Sequence, residues 1–295
     1  MQSLTNSSFL IMRIAHLIIT YTNPQQTERM IRRMQDPEFD FYIHVDAKLP
    51  FSSHAYLEAI PNVYLIKNRI KVQWAAYSTI QAEFNSIKEI LESGRSYEFV
   101  SLMSGQDYPI KSIPEIKQFY AARRGKLLLK YRKFEGEWEE GMIRVSRYFL
   151  TDFKFKGQHF LERVLNNLLP NKQLPGGMKF YGSSMFWSLS PDVLEYVLQQ
   201  FAQNKKLAWF FKFCWAPDEF LFQTIILNSP YAGRVINENA FYYKHLPNTP
   251  SPKVLAPEDW EDIKASDRIL ARKFDMVKSP EILDRIDAHI TGNNP

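Results

Sequence analysis

The amino-acid sequence predicts an α/β protein with a Rossmann-like half built on a parallel sheet, followed by a less regular half. Between residues 12 and 112, short apolar runs alternate with helical patterns that have one apolar face. Polar residues come directly after several of these runs, at the sheet edge where open α/β folds bind ligands. No repeat or linker divides residues 12–295, so we expect one domain with a second half from about residue 113.

Four strands and two helices are predicted in the first half. The first apolar run is nearly continuous, which is typical of a strand at the centre of a sheet. The second helix has Ser78 or Thr79 as its cap and Gly94 as its C-terminal stop. The strands are RIAHLIITYT, FDFYIHVDA, NVYLIKNRI and YEFVSLMSG, and the helices are QQTERMIRRMQ and STIQAEFNSIKEILESG.

The second half is predicted to hold two strands and four helical segments, with a long Pro-rich surface loop over residues 248–262. Pro191 and Pro217 each precede apolar residues at helical spacing and mark the first turn of a helix. The strands are GKLLLKYRKF and KFYGSSMFWSLS, and the helical segments are FLERVLNNLLP, PDVLEYVLQQFAQN, PDEFLFQTIILNS and ASDRILARKFD.

The composition favours a folded cytoplasmic protein. Of 295 residues, 45% are hydrophobic and 15% aromatic, which excludes a disordered or fibrous class. A net charge of +5 is too small to indicate nucleic-acid binding, but it is compatible with phosphates or with peripheral membrane contact. Cys214 is the single cysteine, so an inert buried thiol is expected and an internal disulfide is excluded. The apolar start FLIMRIAHLIITY is too short to span a bilayer, and residues 1–11 are expected to be a tail.

Two carboxylates are candidates for chemistry. Asp46 directly follows an apolar strand, and no Asp-x-Asp pair occurs anywhere in the chain. Because such a pair commonly holds a divalent metal against a diphosphate, a diphosphate bound here needs positive charge from another source. Glu219 in PDEF is either a capping acid in the first turn of a helix or a general base shielded by the aromatic residues around it.

Arg272 and Lys273 in LARKF are the candidate positive charges. One interpretation is a solvated basic helix end, and the other is a binding site for a leaving diphosphate. A guanidinium and an ammonium held beside the diphosphate would stabilise its charge as a metal does. We therefore expect no metal at this site.

Weaker candidates lie near the ends of predicted strands. Trp74 in VQWAAYS is either a core residue or a site residue. Asp107 and Tyr108 follow a strand, and Trp187 is a candidate sugar platform near Gly182, which permits close backbone approach. Dinucleotide, P-loop, nucleophile-elbow and zinc motifs are all absent from the sequence.

Eight motifs in order across nearly the whole chain resemble the core-2/I-branching N-acetylglucosaminyltransferase and peptide O-xylosyltransferase family, glycosyltransferase family 14. They are AHLIITYTNP, FYIHVDAK, VQWAAYSTIQAE, FVSLMSGQDYPIKS, GSSMFWSLS, PDEFLFQTIILNS, SPKVL and SDRILARKFD. The resemblance implies a GT-A fold with a mixed central sheet, a UDP-sugar donor, inversion at the anomeric carbon and no metal cofactor. The short chain resembles bacterial members.

Carried over by position, the resemblance implies that Glu219 is the catalytic base. Arg-Lys at positions 272 and 273, where branching enzymes often have Asn-Lys, leans toward the xylosyltransferase arm. The donor contacts implied by the resemblance are Thr20, Asp46, Val72, Gln73, Trp74, Ser184, Met185, Ser251, Arg272 and Lys273. Asp107, Tyr108 and Trp187 are weaker candidates for acceptor binding.

The sequence thus predicts an inverting, metal-independent glycosyltransferase. It would move a sugar, GlcNAc or xylose, from UDP to a hydroxyl of a glycan, glycolipid or polypeptide, in the cytoplasm or at the inner membrane face. Two alternatives stay open, a nucleotide-sugar hydrolase and a non-catalytic module that binds a sugar or a nucleotide.

Overall fold

The fold is a seven-stranded mixed sheet with helices around it and a second, three-stranded sheet. The computed structural model describes residues 12–246, 249 and 251–292, so the predicted tail of residues 1–11 lies outside the described residues. The strands are β1 (Ile14–Thr20), β2 (Phe39–Val45), β3 (Val63–Leu65), β4 (Phe99–Ser104), β5 (Asp107–Pro109), β6 (Leu127–Lys133), β7 (Tyr181–Leu189), β8 (Val235–Ile236), β9 (Phe241–Tyr243) and β10 (Leu270–Arg272).

The α-helices follow most of the predicted helical segments. They are α1 (Pro24–Arg33), α2 (Tyr77–Leu91), α3 (Ile113–Ala121), α4 (Phe134–Glu137), α5 (Glu140–Ser146), α6 (Gln158–Leu168), α7 (Pro191–Gln203), α8 (Lys205–Lys212), α9 (Leu221–Leu227), α10 (Trp260–Ala265) and α11 (Pro280–Thr291). Among the residues that the structure describes, no helix is both long and apolar enough to cross a membrane.

The first half has the predicted Rossmann-like arrangement. The large sheet runs in the order β3-β2-β1-β4-β7-β6-β8, and its first four strands are parallel. All of β1 is buried except Ile19, because β2 and β4 flank it and helices cover the sheet. The carboxyl ends of β1, β2 and β4 therefore meet at one edge. The second half adds β7, antiparallel to β4 and β6, which makes the sheet mixed and confirms the predicted fold class.

The segment ASDRILARKFD contradicts the prediction of a helical turn. Residues 270–272 form β10, which pairs antiparallel with β5 and parallel with β9 in the small sheet. Ile269, Leu270 and Ala271 are consecutive and all buried, so the segment has no polar side. A surface helix would have placed one of these residues in solvent, whereas a strand covered on both faces buries them all.

Three smaller predictions also need correction. The second helix begins after Ala76 rather than at a Ser or Thr cap, and Ser78 instead accepts a hydrogen bond from the Gln73 backbone N–H at 2.8 Å. The PDEF segment forms a separate 3-10 turn, Pro217–Glu219, before α9. The predicted loop over residues 248–262 turns helical from residue 257, while residues 247, 248 and 250 lie outside the described part of the chain.

Candidate active site

The carboxyl ends of β1 and β2 bring the predicted nucleotide contacts together. The Asp46 backbone N–H donates to the Thr20 carbonyl at 2.9 Å. The Asp46 carboxylate is nearly buried and accepts from the Lys48 backbone N–H at 2.8 Å. The Lys48 ammonium lies 3.2 Å from the same carboxylate and donates to the Val72 carbonyl at 2.6 Å. Lys48 thus links Asp46 to the start of the VQW stretch.

The loop after β4 packs tightly on the end of β1. A Cβ atom on Gly105 would lie 2.3 Å from the Thr20 hydroxyl oxygen, so only glycine fits there. The next acid, Asp107, accepts hydrogen bonds from the Ser104 backbone N–H at 2.6 Å and from the Arg272 guanidinium at 3.1 Å. The Asp107 side chain is fully buried, so this ion pair holds Arg272 firmly at the end of β10.

The predicted diphosphate-binding cations lie where β10 ends. The Arg272 guanidinium stacks 4.1 Å from the centre of the Phe186 ring. Lys273 is half-buried; burial and then the neighbouring Arg272 charge lower the pKa of its ammonium. No ion pair of Lys273 occurs within the described residues. Ser251 lies on the adjoining segment, in which the Lys253 carbonyl accepts from the Lys273 backbone N–H at 3.4 Å.

Strand β7 connects the cations to the predicted base. Phe186 packs under Arg272, and a Cβ on Gly182 would lie 2.7 Å from the Glu219 carbonyl oxygen. The four residue steps from Gly182 to Phe186 rise about 13 Å in an extended strand. Ser184 lies between them, nearly buried, and its carbonyl accepts from the Gln223 side chain at 2.6 Å. Met185 is half-buried beside it.

Glu219 ends a 3-10 turn, and its side chain is 35% exposed, so a ligand can reach the carboxylate. Arg144 of α5 donates a hydrogen bond to that carboxylate. The Arg144 guanidinium itself lies between two tryptophans, 4.7 Å from the Trp138 ring and 4.5 Å from the Trp215 ring. Two cation–π contacts restrict the arginine, and the arginine in turn orients the carboxylate.

An exposed tryptophan, Trp74, packs against Trp215, one of the two rings that hold Arg144. Trp74 is 68% exposed, and its ring meets Trp215 edge-to-face at 5.5 Å. The residues that follow each tryptophan, Ala75 and Ala216, have positive φ values of 57° and 49°. The Ala216 N–H donates to the Ala75 carbonyl at 2.8 Å. Strained backbone of this kind is concentrated at functional sites. Because the Trp74 ring is largely exposed, the prediction that it is a core residue is wrong.

A buried carboxyl pair lies behind Glu219. Burial, and then the negative charge of Glu219, raise the pKa of Asp218 to about 7. Glu83 of α2 is fully buried, and burial followed by the Asp218 charge holds its pKa well above the usual range. Neither Glu83 oxygen has a hydrogen-bond partner among the described residues. Glu83 therefore favours the neutral form at neutral pH, and Asp218 becomes protonated as the pH falls below about 7.

The prediction that Asp107, Tyr108 and Trp187 bind the acceptor conflicts with their burial. Trp187 is 1% exposed and packs on Phe222, so it is a core residue with no face open to a sugar. Asp107 is fully buried and holds Arg272 instead of facing an acceptor. Tyr108 is also buried, and its hydroxyl donates to Asp287 at 2.8 Å. Asp107 and Tyr108 lie in β5, which pairs with β10 inside the small sheet, and Trp187 lies within β7.

Sequence reasoning missed three side chains of this site. Arg144 lies in an ordinary helical stretch, and nothing in its neighbours predicts a contact with residue 219. Glu83 falls on the apolar side of α2, where a charged residue among apolar neighbours was an available signal. Asp218 directly precedes Glu219 in PDEF, and two adjacent acids were an available signal of pKa coupling.

Curated relatives match almost all of the chain. It is 24% identical over 316 residues to Xylosyltransferase 2 of Rattus norvegicus, covering 97% of this chain and 34% of that protein. It is 23% identical over 291 residues to Xylosyltransferase oxt of Drosophila melanogaster, covering 91% of this chain and 32% of that protein. The chain therefore spans about a third of the length of the curated relatives that it matches.

A solved structure and a family model complete the comparison. The apo structure of the WbbM bifunctional glycosyltransferase aligns with a TM-score of 0.43 at 12% identity, over 96% of this chain and 52% of that one. The model of the Core-2/I-Branching enzyme family matches residues 14–266, which include Asp46 and Glu219. Since this match extends over most of the sequence, the chain belongs to the Core-2/I-Branching enzyme family.

Proposed function

We propose that the protein is an inverting glycosyltransferase that moves a sugar from UDP to an acceptor hydroxyl, with Glu219 as the general base. The observation that carries the proposal is the accessible Glu219 carboxylate, oriented by Arg144 and joined through β7 to the cations at the end of β10. The carboxylate takes the proton of the acceptor hydroxyl, whose oxygen attacks the anomeric carbon from the face opposite UDP.

The leaving diphosphate is stabilised by Arg272 and Lys273 in this proposal, without a metal. Asp107 engages the Nε atom of Arg272, which leaves its terminal amino groups free to face the phosphates. The Lys273 ammonium adds a second positive charge. Because the diphosphate leaves as a stable anion, it needs this balance of charge rather than a proton, and one carboxylate is sufficient. A glycosidase, by contrast, needs a second carboxyl to protonate its leaving group.

The donor would lie along the edge formed by β1, β2 and β7. Thr20, Asp46 and the Val72–Trp74 stretch would hold the nucleotide, while Ser184, Met185 and Ser251 would lie near the sugar and the diphosphate. GlcNAc and xylose are the sugars we propose, and the xylosyltransferase names of the curated relatives favour xylose. The acceptor would be a hydroxyl of a glycan, glycolipid or polypeptide.

The first test of the proposal is product analysis with UDP-xylose and UDP-GlcNAc, with an acceptor and without one. We expect an acceptor-dependent product of inverted configuration, formed equally in EDTA and in manganese. Glu219→Gln should lower the transfer rate by at least about a hundredfold, because it removes the base, and it should keep UDP binding. Glu195→Gln, an exposed change on α7, is the matched control.

Each of the other outcomes would indicate a different function or a different base. Release of free sugar regardless of acceptor would identify a nucleotide-sugar hydrolase. Binding of UDP-sugar without turnover would identify a binding module. Full transfer activity in Glu219→Gln would remove Glu219 from the role of base.

The cations are tested separately by UDP binding in EDTA. UDP should raise the melting temperature of the native chain, since a ligand bound only by the folded state stabilises that state. Arg272→Ala should weaken UDP binding by about tenfold to a hundredfold, because a charge-assisted contact to phosphate is lost. Arg285→Ala changes an exposed arginine on α11 and should leave UDP binding as it is. A melting shift seen only with manganese would contradict the metal-free proposal.

A further inference from the structure

Helix α6 exposes several large apolar side chains, while three polar side chains on another side of the helix bond inward. Phe160 is 69% exposed and Leu168 is 77% exposed, and they lie two turns apart on one side. On the opposite side, Gln158 donates to the Leu150 carbonyl at 2.9 Å. Two more polar side chains on that side also bond inward. Glu162 accepts from the Leu150 N–H at 2.7 Å, and Asn166 accepts from the Tyr148 N–H at 2.8 Å. This orientation is the reverse of that in an ordinary surface helix.

The apolar surface continues beyond α6. Leu161 and Leu169 are 40% and 42% exposed. Trp209 of α8 is 52% exposed and meets Tyr148, whose backbone binds α6, at a ring distance of 6.1 Å. We call the surface formed by Phe160, Leu161, Leu168, Leu169 and Trp209 the α6–α8 face. An exposed apolar surface of several large side chains marks an interaction site.

The exposed charged side chains on the two segments that form the α6–α8 face are basic. Its exposed basic residues are Lys154, Lys156, Arg163, Lys205, Lys206 and Lys212. The acids of residues 151–172 are Asp152 and Glu162, and both accept backbone hydrogen bonds from within the protein. A lysine-rich border around an apolar centre matches an anionic surface that has an apolar interior.

An open cavity of about 590 Å³ lies between the end of α6 and α8. Its walls include the aromatic rings of Tyr148, Trp209 and Phe210, and Lys205 and Lys206 also line it. A cavity with apolar walls and ammonium groups suits an amphiphile with an anionic head. The same face therefore offers contacts for both parts of a phospholipid.

We propose that the α6–α8 face docks on a membrane surface rich in anionic phospholipid. The apolar side chains enter the interface, and the lysines lie against the headgroups. A second copy of the chain is a poorer occupant, because a two-fold contact would place these lysines opposite one another. The segment after α8 leads through Phe213 and Trp215 to Glu219, so the docking face and the proposed base are joined by a short stretch of chain.

The experiment is flotation of the full chain with vesicles of phosphatidylcholine alone and with added phosphatidylglycerol. We expect binding only to the anionic vesicles, and loss of binding at high salt. Phe160→Ser with Leu168→Ser should weaken binding by at least about tenfold, and Lys205→Glu with Lys206→Glu by a similar factor. The matched controls, Val277→Ser and Lys126→Glu with Lys264→Glu, change exposed residues elsewhere and should bind as the native chain does.

Equal melting temperatures would show that each variant is folded. Glu219→Gln should bind vesicles like the native chain, so the result does not depend on the proposed activity. Absence of binding to anionic vesicles would overturn the proposal, as would full binding by both face variants. Self-association that is lost in Phe160→Ser with Leu168→Ser, without vesicle binding, would instead assign the face to a dimer.

Discussion

At the scale of single residues, the carboxyl groups near the base differ in their surroundings. Glu219 is partly exposed and held by Arg144, whereas Asp218 and Glu83 are buried and form no salt bridge within the described part of the chain. Neighbouring carboxyl groups in unlike surroundings take different protonation states. In this arrangement Glu83 keeps its proton at neutral pH and Asp218 gains one as the pH falls below about 7, so the pair adds less negative charge behind Glu219 than two ionised carboxylates would.

The pair makes stability fall as pH rises. The unfolded pKa of Asp218 is 3.8 and its folded pKa is about 7, so between these values the folded state binds a proton that the unfolded state has lost. The free energy of unfolding should decrease across this interval by up to about 4 kcal/mol. Thermal melting measured from acid to neutral pH should show a melting temperature that falls with pH for the native chain and falls less steeply for Asp218→Asn.

A surface change is the control for this titration. Asp267→Asn removes a carboxylate that is 82% exposed and should keep the native slope. Parallel curves for the native chain and Asp218→Asn would show that Asp218 does not hold a proton in this interval. Glu83→Gln should flatten the curve further, because burial also raises the pKa of Glu83.

At the scale of elements, β7 is the strand that sets the site. Its glycine lets the Pro217–Glu219 turn approach the sheet, and its Phe186 supports Arg272. The difference between the predicted helix and the observed strand β10 also affects the site, because it fixes the position of Arg272. A strand end holds Arg272 against both Asp107 and Phe186, while a solvated helix end would leave it free.

Gly182→Ala should disturb this element. The added Cβ would lie 2.4 Å from the Phe220 Cβ and 2.7 Å from the Glu219 carbonyl, so the turn must move. Overpacking of this kind costs about 1–3 kcal/mol, and we expect a lower melting temperature with slower transfer. Gly233→Ala is the matched control, because no atom lies within 4 Å of its added Cβ. Native stability and activity in Gly182→Ala would contradict the role assigned to β7.

At the scale of the whole molecule, Gln26 joins the two ends of the chain. Its side-chain amide donates to the carbonyls of Gly105 at 2.9 Å and Phe274 at 3.0 Å, and its oxygen accepts from the Met276 N–H at 2.8 Å. The residue is buried on α1, directly after the first strand. One side chain thus holds the loop after β4 and the segment after Arg272 in register.

Gln26→Leu should therefore reduce both stability and UDP affinity. The change leaves buried backbone groups without partners, at a cost of about 1–3 kcal/mol for each group that water cannot reach. The decrease in melting temperature and the weaker UDP binding would be measured together. Gln25→Leu alters the exposed neighbour and serves as the control. Unchanged UDP affinity in a destabilised Gln26→Leu would show that the segment after Arg272 does not depend on this contact.

The sequence by itself determined the parallel half of the fold, the strands β6 and β7 and the helices α6, α7 and α9 of the second half, the buried state of Cys214 and the family. These follow from apolar periodicity and from motifs that are local in the chain, as with the run before Asp46 and the PDEF turn. The local pattern also placed Asp46 at the carboxyl end of a strand, and the family resemblance added Thr20 and Val72 as donor contacts.

Only the tertiary structure decided which polar residues face the site. Asp107 and Trp187 look accessible near strand ends, yet Asp107 is buried in β5 of the small sheet beside Arg272, and Trp187 is buried against Phe222 of α9. Arg144 and Glu83 reach residues 219 and 218 across long stretches of chain, and periodicity carries no information about such contacts. The side on which α6 shows its apolar residues was equally undetermined, because a helical pattern reveals two faces but not which of them the rest of the protein covers.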